Sequence, residues 1–140
     1  MQKRESHFLI LLRWIIALPA ASLGAWLAYI LAALLNRLTM GFIGMGAGSL
    51  LAKAFIIYIS HSVMAAAFIY IGARVVPYYK KITSYVLVGI ALICSGFMLF
   101  PAIITKNYWA ILGDVALIIS SSIMGYAVFI GEIDFPEEER

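Results

Sequence analysis

Four continuous apolar runs occupy most of this chain, and each is near the ~20 residues that a helix needs to cross a ~30 Å hydrocarbon layer. A soluble fold of 140 residues cannot hide that much apolar surface. Hydrophobic residues make up 64% of the chain and charged residues 12%, against the roughly 25% charged residues of a soluble domain. The runs lack the alternation in ~10-residue segments that marks an outer-membrane barrel. A helix also satisfies its own backbone within lipid. The expected fold is therefore an all-α integral membrane protein, a four-transmembrane-helix bundle with short loops. One transmembrane domain covers residues 1–140, with 132–140 as a flexible acidic tail.

The spans read as Trp14 to Leu35, Leu50 to Val76, Tyr85 to Ile104 and Tyr108 to Gly131. Pro77 closes the second, because it cannot continue the hydrogen-bond ladder and disfavours helical geometry at Val76. Pro19 lies inside the first, where it favours a kink. Behind the basic N-terminus MQKRESHF there is no small-residue cleavage site followed by a polar mature region, so the first span is expected to stay uncleaved. Lys3, Arg4, Arg13, Arg74, Lys80, Lys81 and Arg140 fall on one side of this layout, and Arg37, Lys53 and Lys106 on the other. That bias places both termini and the Pro77 to Ser84 loop in the cytoplasm, with the plasma (inner) membrane as the expected location. Dispersed in this way, the net charge of +3 reflects topology, and nucleic-acid binding is not expected. Tyr108 and Trp109 at one end, and Tyr78, Tyr79 and Tyr85 at the other, fit interfacial anchoring.

The connection Asn36 to Ser49, NRLTMGFIGMGAGS, interleaves Gly41, Gly44, Gly46 and Gly48 with Met, Phe and Ile. It lacks the Lys-Ser/Thr ending of a phosphate loop and the βαβ context of a dinucleotide fingerprint. The preferred reading is an apolar turn leading into the second helix. The sharper one is a re-entrant or pore-lining segment, tolerated only where protein or water covers its backbone.

Polar residues at membrane depth mark a site or a partner. Asp114 lies roughly 9 Å and Lys53 roughly 5 Å from the outer ends of their spans at ~1.5 Å per residue, so an intramembrane Lys53–Asp114 ion pair is the preferred expectation. The alternative has Lys53 snorkelling to the surface. Asp114, Ser121 and Gly125 follow seven- and four-residue steps and share a helix face. Lys53, Ser60, His61 and Met64 cluster similarly. His61, Ser60, Ser121 and Gly125 are therefore candidate pore-lining residues, while the plainer account of His61 is a neutral core histidine bonded to Ser or backbone. Ser60, His61 and Asp114 name the types of a hydrolytic triad, but adjacent Ser and His diverge on a helix and no oxyanion-hole motif accompanies them. A bis-histidine haem needs a second His at matching depth, and His7 lies at the cytoplasmic edge. The single cysteine, Cys94, excludes an intrachain disulfide or a Cys-based metal cluster. No catalytic, cofactor-binding or metal-binding residues are expected.

Small residues recur at helix-packing spacing: Gly24, Ala28 and Ala32 in the first span, and Gly44 and Gly48 entering the second. Such ridges let backbones approach closely where lipid supplies no hydrophobic drive. The expected partners are the bilayer and either further copies of the chain, as a homo-oligomer, or a larger membrane complex. Arg74, Tyr78, Tyr79, Lys80 and Lys81 are candidates for facing a cytoplasmic protein. The leading functional expectation is a non-enzymatic membrane subunit or anchor that presents this loop and the tail to a partner. A small homo-oligomeric channel or pore-forming effector is the alternative. A membrane enzyme or transporter ranks third, because only Asp114 is an embedded carboxylate and inverted broken helices are lacking.

Overall fold

A computed structural model of the chain describes residues 7–44, 48–133 and 135. All regular structure among them is helical: α1 (His7–Phe42), α2 (Leu50–Val75), α3 (Lys80–Ile104) and α4 (Tyr108–Ile130). Each helix is long and apolar enough to cross a membrane, and at most 28% of the most apolar stretch of any of them is buried within the chain. The remaining surface faces lipid or another protein, which makes this an integral membrane protein of four spans.

The second and fourth spans agree with the sequence to within a residue, whereas α1 and α3 are longer. α1 has 36 residues, about 54 Å at ~1.5 Å per residue, and it runs straight through Asn36–Phe42, which reads from sequence as connection. The reason is tertiary. Met40 is buried against Ala52 and Ile56 of α2, with Ala33 alongside, so the extra turns of α1 have a neighbour to pack on. The described part of the glycine-rich connection is thus a helix end, a turn and a cap. Gly44 takes φ +75°, a left-handed geometry open to glycine without steric cost, and the Ser49 hydroxyl accepts the Ala52 N–H at 3.2 Å to start α2. Residues 45–47, Gly46 among them, lie outside the described residues.

At the opposite end Val76 is extended (φ −72°, ψ 134°) ahead of the buried Pro77, as the proline requires. Tyr79 then adopts φ 57° and α3 begins at Lys80, five residues before the expected start. α4 closes on Gly131 at φ 81°, whose N–H donates to the Ala127 carbonyl, a common glycine-terminated helix end. Just beyond it Phe135 is 6% exposed and packs with Ala73 and Val128, so the start of the expected flexible tail is anchored. Residue 134 and residues 136–140 lie outside the described part.

α2 is the hub. It packs on α1, α3 and α4, and α3 packs on α4, while the backbone of α1 approaches neither α3 nor α4. α1 runs antiparallel to α2: the Arg13 side chain donates to the Val75 carbonyl at 3.1 Å at one end, and Met40 meets Ala52 at the other. The interfaces are built from small residues. Ala17, Ala21 and Ala25 are buried on α1. A Cβ on Gly24 would collide with Ile71, and one on Gly72 would collide with Leu87 and lie 3.1 Å from the Ala21 methyl. Gly72 thus sits where α1, α2 and α3 meet.

Candidate functional site

The polar groups at membrane depth converge on His61 of α2. Its Nδ1 lies 2.7 Å from the Ile57 carbonyl. A carbonyl only accepts, so Nδ1 carries the hydrogen. The ring rests on the backbone of α4 at Gly113, where a Cβ would lie 2.8 Å from Nε2 and 2.9 Å from Cε1. On the other side Tyr29 of α1 meets it edge-on, with ring centroids 5.1 Å apart at 77°, a favourable aromatic geometry. The imidazole therefore links α1, α2 and α4. Sequence reasoning reached His61 but missed Tyr29 and Gly113; the signal for Gly113 was a glycine directly before the embedded Asp114.

Asp114 is half-buried and interacts electrostatically with His61. It lines a cavity of about 370 Å³ together with Ser22 and Trp26 of α1, Met64 and Phe68 of α2, and Cys94, Ser95 and Met98 of α3. The backbones of α1 and α3 do not approach each other, and this cavity is a cleft between them, backed by α2 and α4. Trp26 is 59% and Met98 62% exposed at its edge. Cys94 is exposed there as well.

The expected Lys53–Asp114 pair does not form. Lys53 is exposed and lines a different groove with Arg37, Ile56, Ile57 and Trp109. The cause is helix stagger: Gly113 and Asp114 sit level with His61, which is eight residues past Lys53, about 12 Å further along α2 at ~1.5 Å per residue. Distance from a helix end does not measure depth when the helices start at different heights.

The other candidates separate in the same way. Ser60 and Ser121 are completely buried, and neither hydroxyl has a hydrogen-bond partner among the described residues. Gly125 faces Val88 of α3, 3.4 Å from where its Cβ would be. Within the single chain Ser60 and Ser121 are buried and Gly125 packs on α3, and Ser60 shares no hydrogen bond with His61. The neighbouring Ser120, overlooked in the sequence, joins two helices: its hydroxyl donates to the Ser62 carbonyl at 2.9 Å. Of the packing glycines, Gly24 meets α2, with Ala28 and Ala32 half-buried along the same helix. Gly44 and Gly48 are exposed with nothing within 4 Å of an added Cβ, so within the chain they serve the turn and not an interface.

At the end bearing the α2–α3 loop, Arg74 donates to the Tyr70 hydroxyl at 3.2 Å and lies 5.6 Å from the centre of that ring. Phe135 also packs on Tyr70, with centroids 5.8 Å apart. Arg74, Tyr79 and Lys81 are exposed and Tyr78 is half-buried. Lys80, expected to face a partner, is only 5% exposed at the start of α3, just after the left-handed turn at Tyr79. Among the described residues no three His, Cys, Asp or Glu side chains lie close enough to share a metal ion.

The fold and its exposed apolar surface define the chain as a four-span integral membrane protein. Comparison with protein-family models, curated proteins and solved structures finds no match, so its role rests on the chemistry of the cleft and grooves.

Proposed function

We propose that this chain is a non-enzymatic membrane subunit that receives a transmembrane helix of a different protein in the cleft between α1 and α3. The observation that carries this reading is Asp114, an embedded carboxylate that has His61 nearby but no Lys or Arg partner among the described residues, on the wall of a laterally open apolar cleft. Such a group needs a complementary partner at the same depth. A second copy supplies none: the chain has no Lys or Arg between Arg13 and Arg37, between Lys53 and Arg74, between Lys81 and Lys106, or in α4. The occupant is therefore a helix from another chain with a basic residue near mid-span. Its apolar remainder packs against Trp26, Met64 and Met98, since packing and polar contacts are what drive helix association in lipid. The exposed Arg74, Tyr79 and Lys81 offer a second contact on the side of the termini, which the distribution of basic residues assigns to the cytoplasm of the plasma membrane.

Cys94, the only cysteine, provides a native probe at the cleft. A thiol-reactive photocrosslinker on Cys94 in native membranes should give an adduct whose attached peptide is a transmembrane helix with a mid-span Lys or Arg. Asp114→Asn should abolish that adduct without loss of helicity. Adducts only with lipid or with a second copy, or recovery that ignores Asp114→Asn, would overturn the reading.

A further inference from the structure

Independently of the cleft, the end of the bundle opposite the termini carries a second unmatched charge arrangement. Arg37 of α1 and Lys53 of α2 are both exposed and line one groove of about 400 Å³ with Ile56, Ile57 and Trp109. Neither cation takes part in a hydrogen bond or ion pair among the described residues. Among the described residues no carboxylate pairs with them either. From His7 to Ile130 the only acidic residue is Asp114, and it faces the cleft at the level of His61. The groove thus joins two cations, an apolar floor and a tryptophan near the start of α2 and of α4, and the ends of membrane spans are the usual setting for such aromatic and basic residues.

We infer that this groove binds an anionic phospholipid. Its phosphate lies between Arg37 and Lys53, and the start of an acyl chain follows Ile56, Ile57 and Trp109. The guanidinium fork matches two phosphate oxygens, and the ammonium adds a point charge beside them. A zwitterionic phosphatidylcholine offers the same phosphate but brings a choline cation towards two like charges, so the groove discriminates by net headgroup charge. The apolar floor separates a lipid from free phosphate, which would leave Ile57 and Trp109 unused. Held in this place, the lipid covers the outer end of the α1–α2 hairpin.

The test uses the full chain with Trp14→Phe and Trp26→Phe, leaving Trp109 as the only tryptophan, reconstituted in phosphatidylcholine vesicles with a minor component of brominated phosphatidylglycerol or brominated phosphatidylcholine. Brominated phosphatidylglycerol should quench Trp109 more strongly. That preference should fall about fivefold for each cation removed by Arg37→Gln or Lys53→Gln and should survive Lys106→Gln, a change at the same end outside the groove. Inorganic phosphate in the bath should not relieve the quenching. Equal quenching by the two lipids overturns the proposal, and this comparison needs neither cation variant to fold. A loss as large with Lys106→Gln would mean general surface charge, and displacement by inorganic phosphate would mean a free-anion site; either overturns it too.

Discussion

His61 owes its place to an absent side chain. Its imidazole occupies the volume that any residue other than glycine at position 113 would fill, with three ring atoms 2.8–3.0 Å from the ideal Cβ position. Gly113→Ala should force the ring off α4 and disturb its edge contact with Tyr29, lowering stability by about 1–3 kcal/mol, the usual cost of overpacking. The coupling can be read directly. In a His61→Ala background the same glycine change should cost far less, and additive losses in a double-mutant cycle would refute the contact. Ser120→Ala should be milder, ~0.6 kcal/mol, the average for an interhelical hydrogen bond in a membrane. Thermal unfolding in detergent measures both.

Helix contact depends on which small residues meet a neighbour. Gly24 and Gly72 are each in close approach to a side chain of another helix, whereas Gly48 faces open space. Gly72→Leu, at the junction of α1, α2 and α3, should therefore be the most damaging of the three, Gly24→Leu intermediate because the Ile71 tip can yield, and Gly48→Leu nearly silent. Gly44→Leu should cost about 1–2 kcal/mol despite the free space, because a side chain at φ +75° is strained. Ranking these variants by chemical denaturation checks the assignment. A large loss at Gly48 would place that residue in an interface with a second chain.

For the molecule as a whole, the antiparallel path puts the start of α3 and its end on opposite faces of the membrane. In a Cys94→Ala background, cysteines at positions 81 and 106 should label from opposite sides. With the termini cytoplasmic, position 106 reacts in intact cells and position 81 only after permeabilisation; the reverse result would invert the proposed orientation. Phe135 closes the molecule on the side of the termini by packing on Tyr70, Ala73 and Val128. Phe135→Ala should speed amide exchange at Glu132 and Ile133, whose N–H groups bond the Ala127 carbonyl, while leaving α3 protected. Unchanged exchange at these two amides would show that Phe135 does not hold the segment.

Hydrophobicity over a helix-length window is a local property, and so the sequence alone determined that four helices cross a membrane, where Pro77 ends α2, and which residues are polar at membrane depth. The same locality let Gly24 be recognised as a packing residue. Which polar residues meet is a matter of stagger and rotation between helices, set by the fit of Gly72, Leu87 and Ala21 and of Gly113 and His61 across interfaces. Tertiary structure therefore decided that Asp114 belongs with His61 and not with Lys53, that Lys80 is buried, and that Met40 carries α1 beyond its expected end. It also set the backbone of α1 against that of α2 alone, which opens the cleft at Asp114: small residues let α1 approach α2 closely, and no described residue fills the cleft between α1 and α3 at that level.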